Sequence, residues 1–180
     1  MKHILFTGAP GTGKTSVIQE LEKLGYSICS EKARQVIKQE LKEQSNPVCV
    51  PWNDVLCFSM KVLDRILSDK MNDTATPVFF DRGIPDLMGY LNLSGREYDH
   101  TYFSSRIPEM EYSNTVFLFP VWEEIYANDL ERKESLEQAF QVECHIRSVY
   151  EKFGFQVVEV PKKSVLERVD FILSKTLKLK

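Results

Sequence analysis

The segment Gly8-Ala9-Pro10-Gly11-Thr12-Gly13-Lys14-Thr15 has the spacing G-x-x-x-x-G-K-[ST] and lies between an apolar run, Ile4-Leu5-Phe6, and a helical pattern. That context calls for a strand, a tight loop and a helix in this order. The glycines let the backbone curl so that successive N–H groups point inward, and a helix starting near Gly13 adds the positive end of its dipole. Such a loop grips phosphate oxygens through its backbone. Gly8, Ala9, Pro10, Gly11, Thr12, Gly13, Lys14, Thr15 and Ser16 are therefore the candidate nucleotide-binding residues. Lys14 is placed to reach the outer phosphates, and the Thr15 hydroxyl to take one position on a Mg²⁺ that bridges them. An ordinary glycine-rich turn would not need Lys and Thr at those two positions.

Further apolar runs read as buried strands: with His3–Thr7 come Tyr26–Cys29, Pro77–Phe80, Thr115–Phe119 and Gln156–Val160, separated by helix-length segments. This alternation predicts an α/β fold with a parallel sheet covered on both faces. The first helix is expected from about Gly13 to Leu24, with Val17, Ile18, Leu21 and Leu24 on one face and Gly25 as its stop. A long helix should end at Gly154, and a terminal helix should begin after a Ser164 cap. Polar helices over about 31–43 and 52–70, joined by the turn chemistry of Ser45 to Pro51, would form a flap above the sheet. At 180 residues the whole chain, 1–180, reads as a single domain.

Composition narrows the partners. A net charge of −3 gives no overall attraction to nucleic acid or to an anionic membrane, leaving only a local basic groove open, so a small-molecule acceptor is the expected partner. The four cysteines form no C-x-x-C pair and the three histidines are scattered, which argues against zinc. The cysteines read as small apolar side chains of a reduced, cytoplasmic protein. The N-terminal apolar run is too short for a signal peptide, and the longest apolar run, Val116 to Trp122, contains Pro120 and cannot span a bilayer.

Four more segments carry candidate chemistry. Pro77-Val78-Phe79-Phe80-Asp81-Arg82-Gly83 ends an apolar strand in a carboxylate, at the sheet edge where open parallel sheets bind ligands. Asp81 can there hold Mg²⁺ directly or through water, or serve as a cap; Arg82 can neutralise a transferred phosphoryl group, orient a substrate hydroxyl, or pair with a nearby acid. Glu31 follows the second strand with Arg34 one turn later, either as an intrahelical ion pair or as a base and a substrate contact in the acceptor pocket. Asp86 and Tyr90 lie one turn apart after Pro85, for substrate contact or local capping, and Trp52 sits at the flap. The charged run Asn128 to Glu134 is either a solvated face or a lid, about 127–134, that brings Arg132 or Lys133 over the transferring phosphate.

Together GAPGTGKTS, Ser30-Glu31-Lys32-Ala33-Arg34, Asp81-Arg82-Gly83-Ile84-Pro85-Asp86 with Tyr90, Asn128-Asp129 to Glu134, and Val160-Pro161 with Ser164 and Arg168 resemble the small AAA-type predicted ATPase family. That family is related to the nicotinamide riboside kinase domain of the bacterial NAD-biosynthesis regulator. The resemblance covers nearly the whole chain and implies a P-loop NTPase fold like that of nucleoside and nucleotide kinases, with strand order 2-3-1-4-5, binding ATP and Mg²⁺. It implies that Asp81 and Arg82 lie by the acceptor, that Glu31 can act as base, and that Pro161 to Val165 lie against the adenine. The segment around Arg132 has one arginine where many nucleotide kinases carry several, which favours a nucleoside-like or other hydroxyl acceptor.

The leading expectation is thus an ATP-dependent small-molecule kinase, with Lys14, Glu31, Asp81, Arg82 and Arg132 as its catalytic candidates. A nucleotide-dependent switch or ATPase acting on a protein partner is the alternative, and a kinase of polynucleotide ends a third. Thr115 to Phe119 leads into Pro120-Val121-Trp122, with no N-K-x-D-like guanine reader, and 180 residues leave no room for the added helical domain of a ring-forming ATPase.

Overall fold

Side chains alternate across a strand, and the strands of this chain are apolar at successive positions, so the sheet they build must be covered on both faces. The computed structural model, which describes residues 3–69, 77–125 and 135–176, meets that requirement. Its strands are β1 (His3–Thr7), β2 (Ser27–Cys29), β3 (Val78–Asp81), β4 (Tyr112–Leu118) and β5 (Gln156–Glu159). They pair in parallel in the order β2-β3-β1-β4-β5, so the expected topology is the observed one. The described helices are α1 (Lys14–Lys23), α2 (Lys32–Glu43), α3 (Val55–Ser68), α4 (Ile84–Leu93), α5 (His100–Ser104), α6 (Leu136–Lys152) and α7 (Val165–Thr176).

The period of two divides the core. Ile4, Phe6, Phe79 and Phe117 pack with Val17, Ile18 and Leu21 of α1 and with Val169 and Ile172 of α7. Leu5, Phe80, Tyr112 and Val116 face the other way, onto the cluster that contains Val62 and Leu63 of α3, Met88 and Leu91 of α4, and Ile146 and Tyr150 of α6. A Cβ on Gly89 of α4 would stand 2.8 Å from the Ile146 side chain and 2.9 Å from its Cα, so the absence of a side chain lets these two helices touch.

Three local expectations need correction. Strand β4 starts at Tyr112, not Thr115, because Tyr112 pairs with His3 across a register irregularity; the polar Ser113 and Asn114 hid this extension. Trp52 lies in a turn before α3 and not in the helix. The helix starts after Asp54, whose carboxylate accepts from the N–H groups of Leu56 (3.1 Å) and Cys57 (3.0 Å). The cysteines are not all reduced: Cys49 and Cys57, with Cα atoms 5.0 Å apart, form a disulfide across the turn that carries Trp52, while Cys29 is buried and free and Cys144 exposed and free. Eight residues of sequence separation gave no pattern that distinguishes such a bridge from two unrelated thiols.

Candidate active site at the sheet edge

The loop from β1 to α1 leaves the sheet through backbone that only glycine tolerates. Gly8 has φ +132°, and a Cβ there would lie 2.3 Å from the carbonyl oxygen of Phe119, which follows β4. Gly13 precedes α1 with φ +80°; no side chain caps the helix, and its first turn holds no acid. The leading N–H groups of α1 therefore lack side-chain partners of the kind that usually satisfy them, and the helix dipole favours negative charge beside them. Thr15 and Ser16 are exposed. Lys14, in contrast, is 7% exposed and its Nζ donates to the carbonyls of Gly8 (2.9 Å) and Ala9 (2.7 Å) and to Thr12 Oγ1 (3.1 Å).

The neighbouring strand end supplies the acid. Asp81 pairs in register with Phe6, two residues before Gly8, so its carboxylate stands at the same edge as the loop. Its Oδ1 is buried without a hydrogen-bond partner among the described residues. Burial pushes Asp81 up to about 6, against the pull of Lys14. Burial, with help from Arg82, pushes Lys14 down to about 7, against Asp81, Glu31 and Asp86. An orphaned carboxylate oxygen and the exposed Thr15 hydroxyl fit a hard cation of the Mg²⁺ kind, which takes few protein ligands when phosphates supply the rest. Among the described residues there is no cluster of three His, Cys, Asp or Glu that would hold a metal without such help.

Arg82 has φ +74°, an uncommon conformation for a residue with a side chain. Its N–H donates to the Phe6 carbonyl (2.9 Å), which holds that turn against β1. The guanidinium then spans two acids: Nε donates to Glu31 Oε1 (3.0 Å) and Nη1 to Asp86 Oδ1 (3.3 Å), with the Tyr90 ring centre 5.5 Å from the guanidinium carbon. Burial would lower the Arg82 pKa, but Tyr90, Glu31, Asp86 and Asp81 raise it well above its ordinary value, so Arg82 stays charged. Glu31 occupies the N-cap position of α2 without making a side-chain cap. Its carboxylate is turned to Arg82 and to Arg34 Nε (3.6 Å). Burial pushes Glu31 up, yet Arg82, Lys14 and Arg34 outweigh it and hold Glu31 below the ordinary carboxylate range.

Asp86 lies deeper than the sequence suggested. It is 1% exposed and accepts from Thr7 Oγ1 (2.5 Å), Tyr150 OH (2.6 Å) and the Gly83 N–H (2.9 Å) as well as from Arg82. It forms the floor under Arg82 and leaves its surface to Glu31 and Tyr90. The sequence reading missed Thr7 and Tyr150, and no local signal distinguishes a strand-ending Thr or a Tyr on an apolar helical stripe as partners of one acid.

Lys14, Glu31, Arg34, Asp81, Arg82, Asp86 and Tyr90 thus come together at the carboxyl end of the sheet. Trp52 is 62% exposed in the α2–α3 turn, with no contact to this cluster among those described. Arg132 and the segment 127–134 lie outside the described residues. A cavity of about 20 Å³ between β2, α2, α3 and the Asp81–Gly83 turn has room for roughly one water molecule. The open groove of about 480 Å³ along α6, lined by Leu136, Glu137, Phe140, Gln141 and Cys144, is mostly apolar, and among the described residues the charged side chain that lines it is an acid, which does not suit phosphate.

A parallel 2-3-1-4-5 sheet with a glycine-lined loop between its central strand and an uncapped helix defines a P-loop NTPase fold. The chain belongs to the AAA domain family, whose profile matches residues 3–168. Among solved structures it resembles deoxyadenosine kinase from M. mycoides with products dCMP and dCDP bound (19% identity, TM-score 0.67, 100% of each chain). It also resembles thymidylate kinase from Ehrlichia chaffeensis (16%, 0.62, 98% of each chain). The NadR protein in complex with NR matches at 17% identity and TM-score 0.69 over 99% of this chain and 51% of that one. No curated protein matches the chain in sequence. Among the described residues no helix is long and apolar enough to cross a membrane.

Proposed function

We propose that the protein is a kinase that transfers the γ-phosphoryl group of Mg·ATP to a hydroxyl of a small nucleoside-like or nucleotide-like acceptor. The observation that carries this reading is the meeting of two half-sites at one sheet edge: Lys14 on the phosphate loop, and the Glu31–Arg82 pair across Asp81. A nucleotide switch needs the first half alone. A transfer enzyme needs both.

In this reading residues 8–16 hold the triphosphate through backbone N–H groups, and Lys14 leaves the loop carbonyls to pair with the outer phosphates. Thr15 and Asp81 would hold the Mg²⁺, which supplies charge neutralisation on the phosphate oxygens when bound. Glu31, kept ionised by Arg82, accepts the proton of the acceptor hydroxyl. Arg82, fixed by Asp86 beneath it, stabilises charge on the group in transfer. Arg34, Trp52 and Tyr90 contact the acceptor, with the α2–α3 segment, about 31–70, as a flap and 127–134 with Arg132 as a lid. The cationic groups of the acceptor side, Arg82 and Arg34, are already engaged by Glu31 and Asp86. That balance favours a neutral hydroxyl acceptor over one bearing its own phosphate.

The test is a coupled assay of ADP release with Mg·ATP against nucleosides, nicotinamide riboside and nucleoside monophosphates, with Lys14→Ala as control. Turnover that depends on an acceptor and disappears in the variant supports the kinase. ATP binding that no acceptor stimulates transfers weight to an ATPase or switch working on a protein partner.

A further inference from the structure

The C-terminal helix sends an arginine back beneath the phosphate loop. Arg168 of α7 is 5% exposed, and its Nη1 donates to the carbonyl oxygens of Thr12 (3.4 Å) and Gly13 (3.5 Å). The guanidinium carbon lies 5.8 Å from the centre of the Trp122 ring, and a Cβ on Gly13 would stand 2.7 Å from Nη1. Among the described residues Nε has no hydrogen-bond partner and no acid pairs with the guanidinium. A cation this buried costs free energy unless opposite charge or strong acceptors offset it, and two long bonds to carbonyls offset it only in part. Packing α7 onto α1 needs only the apolar Val169 and Ile172. The charge at position 168 calls for a separate reason.

Peptide geometry supplies one. No peptide bond in the described chain is cis. In a trans peptide the C=O and N–H point in opposite directions. When Arg168 draws the carbonyls of Thr12 and Gly13 to the outer side of the loop, the N–H groups of Gly13 and Lys14, which share those two peptide planes, are turned to the inner side. These are the donors that an anion at the start of α1 would meet.

Resting on the reading of residues 8–16 as a triphosphate site, we infer that Arg168 is a positioning residue for that site: it orients the Gly13 and Lys14 amides toward the phosphates and adds a fixed positive charge behind them. Gly13 is needed as much for the arginine at its back as for its own backbone angle.

The test measures binding of inorganic tripolyphosphate and of Mg·ATP to the full chain by calorimetry, for the natural protein, Arg168→Ala, Arg168→Lys and Lys14→Ala, with thermal melts of each. Arg168→Ala is expected to bind tripolyphosphate at least about ten-fold more weakly, and millimolar guanidinium is expected to restore part of the affinity. Arg168→Lys, which keeps the charge but ends one atom short of the place Nη1 occupies between the two carbonyls, should melt near the natural protein and bind about three-fold more weakly or worse. Arg168→Ala binding within about two-fold of the natural protein overturns the inference, as does a loss that guanidinium does not rescue, which would assign the residue to packing alone. If Arg168→Ala does not fold, the lysine variant decides, and unchanged affinity there overturns it. A natural protein that binds neither ligand would overturn the phosphate-site reading itself, and this inference with it.

Discussion

Asp81→Asn should make the free protein more stable while it removes metal-assisted nucleotide binding. Burial pushes the Asp81 pKa from 3.8 to about 6 against the attraction of Lys14. The folded chain therefore holds this proton more tightly than the unfolded chain. As pH rises from below 3.8 through 6 the folded state binds the extra proton over a window in which the unfolded state has lost it, so stability falls across that window and stays reduced above it. A gap of roughly two units corresponds to about 3 kcal/mol as an upper figure. Asp81 keeps a partly exposed edge and its charge also helps Lys14, so about 2 kcal/mol is expected at about pH 8, or a rise of about 4–8 °C in Tm for a chain of this length. The difference should shrink toward zero near pH 4. With Mg·ATP present the order should reverse, because the natural protein gains the binding free energy of the ligand and the variant gains little of it. Thermal melts over this pH range, in chelator and then with Mg·ATP, read both effects. An asparagine variant that melts below the natural protein in chelator at about pH 8, or a difference that does not change with pH, would refute the assignment of Asp81 as a buried, unpaired carboxylate.

Gly8→Ala should cost about 3 kcal/mol or more and abolish nucleotide binding, since the added methyl would meet the Phe119 carbonyl at 2.3 Å with φ at +132°; an unchanged melting curve would contradict that contact. Asp86→Ala should destabilise by about 3–5 kcal/mol in chemical denaturation, because Thr7, Tyr150, Gly83 and Arg82 all lose a buried acceptor. A loss confined to acceptor KM, with stability intact, would make Asp86 a substrate contact instead. Alkylation without reduction, read by mass spectrometry, should label Cys144 rapidly and Cys29 slowly, the latter because it is buried and burial raises its pKa, and leave Cys49 and Cys57 unlabelled. Labelling of all four would remove the bridge.

Local chemistry made the turn from Gly8 to Gly13 with the start of α1, the β1 strand and the acid at the end of β3 legible in the sequence, because each depends on residues adjacent in the chain. The parallel order of the strands came from the resemblance, and the structure has the same order. Longer-range features were hidden. Asp86 reads as a helix-start acid with a free choice of cap or substrate, and its burial depends on Thr7, 79 positions away, and Tyr150, 64 positions away. Arg168 marked the resemblance but carried no role in it; the role follows from two carbonyls some 155 positions earlier. The disulfide was missed because composition was used to assign the cysteines a common state, whereas the turn that ends at Asp54 brings only two of them together.

Two kinds of buried polar group share this sheet edge, and the distinction indicates which hold the fold and which face a ligand. Asp86 has both carboxylate oxygens fully engaged by protein donors, as a structural acid should. Asp81 has an oxygen with no donor, Arg168 a nitrogen with no acceptor, and Lys14 only neutral loop acceptors, two carbonyls and the Thr12 hydroxyl, for its hydrogen bonds from a buried ammonium, all among the described residues. A fold selected for stability alone would have replaced these three with apolar side chains, since each costs free energy that its partners among the described residues return only in part. All three border the same six-residue turn between β1 and α1 or the strand beside it. A polyanion with its cation answers all three needs at once, with negative charge for Lys14 and Arg168 and positive charge for Asp81. A partner protein surface has no reason to offer that combination in so small a space, so the unsatisfied groups support the proposed reading of this edge as a site for a polyphosphate with its cation, which Mg·ATP would supply.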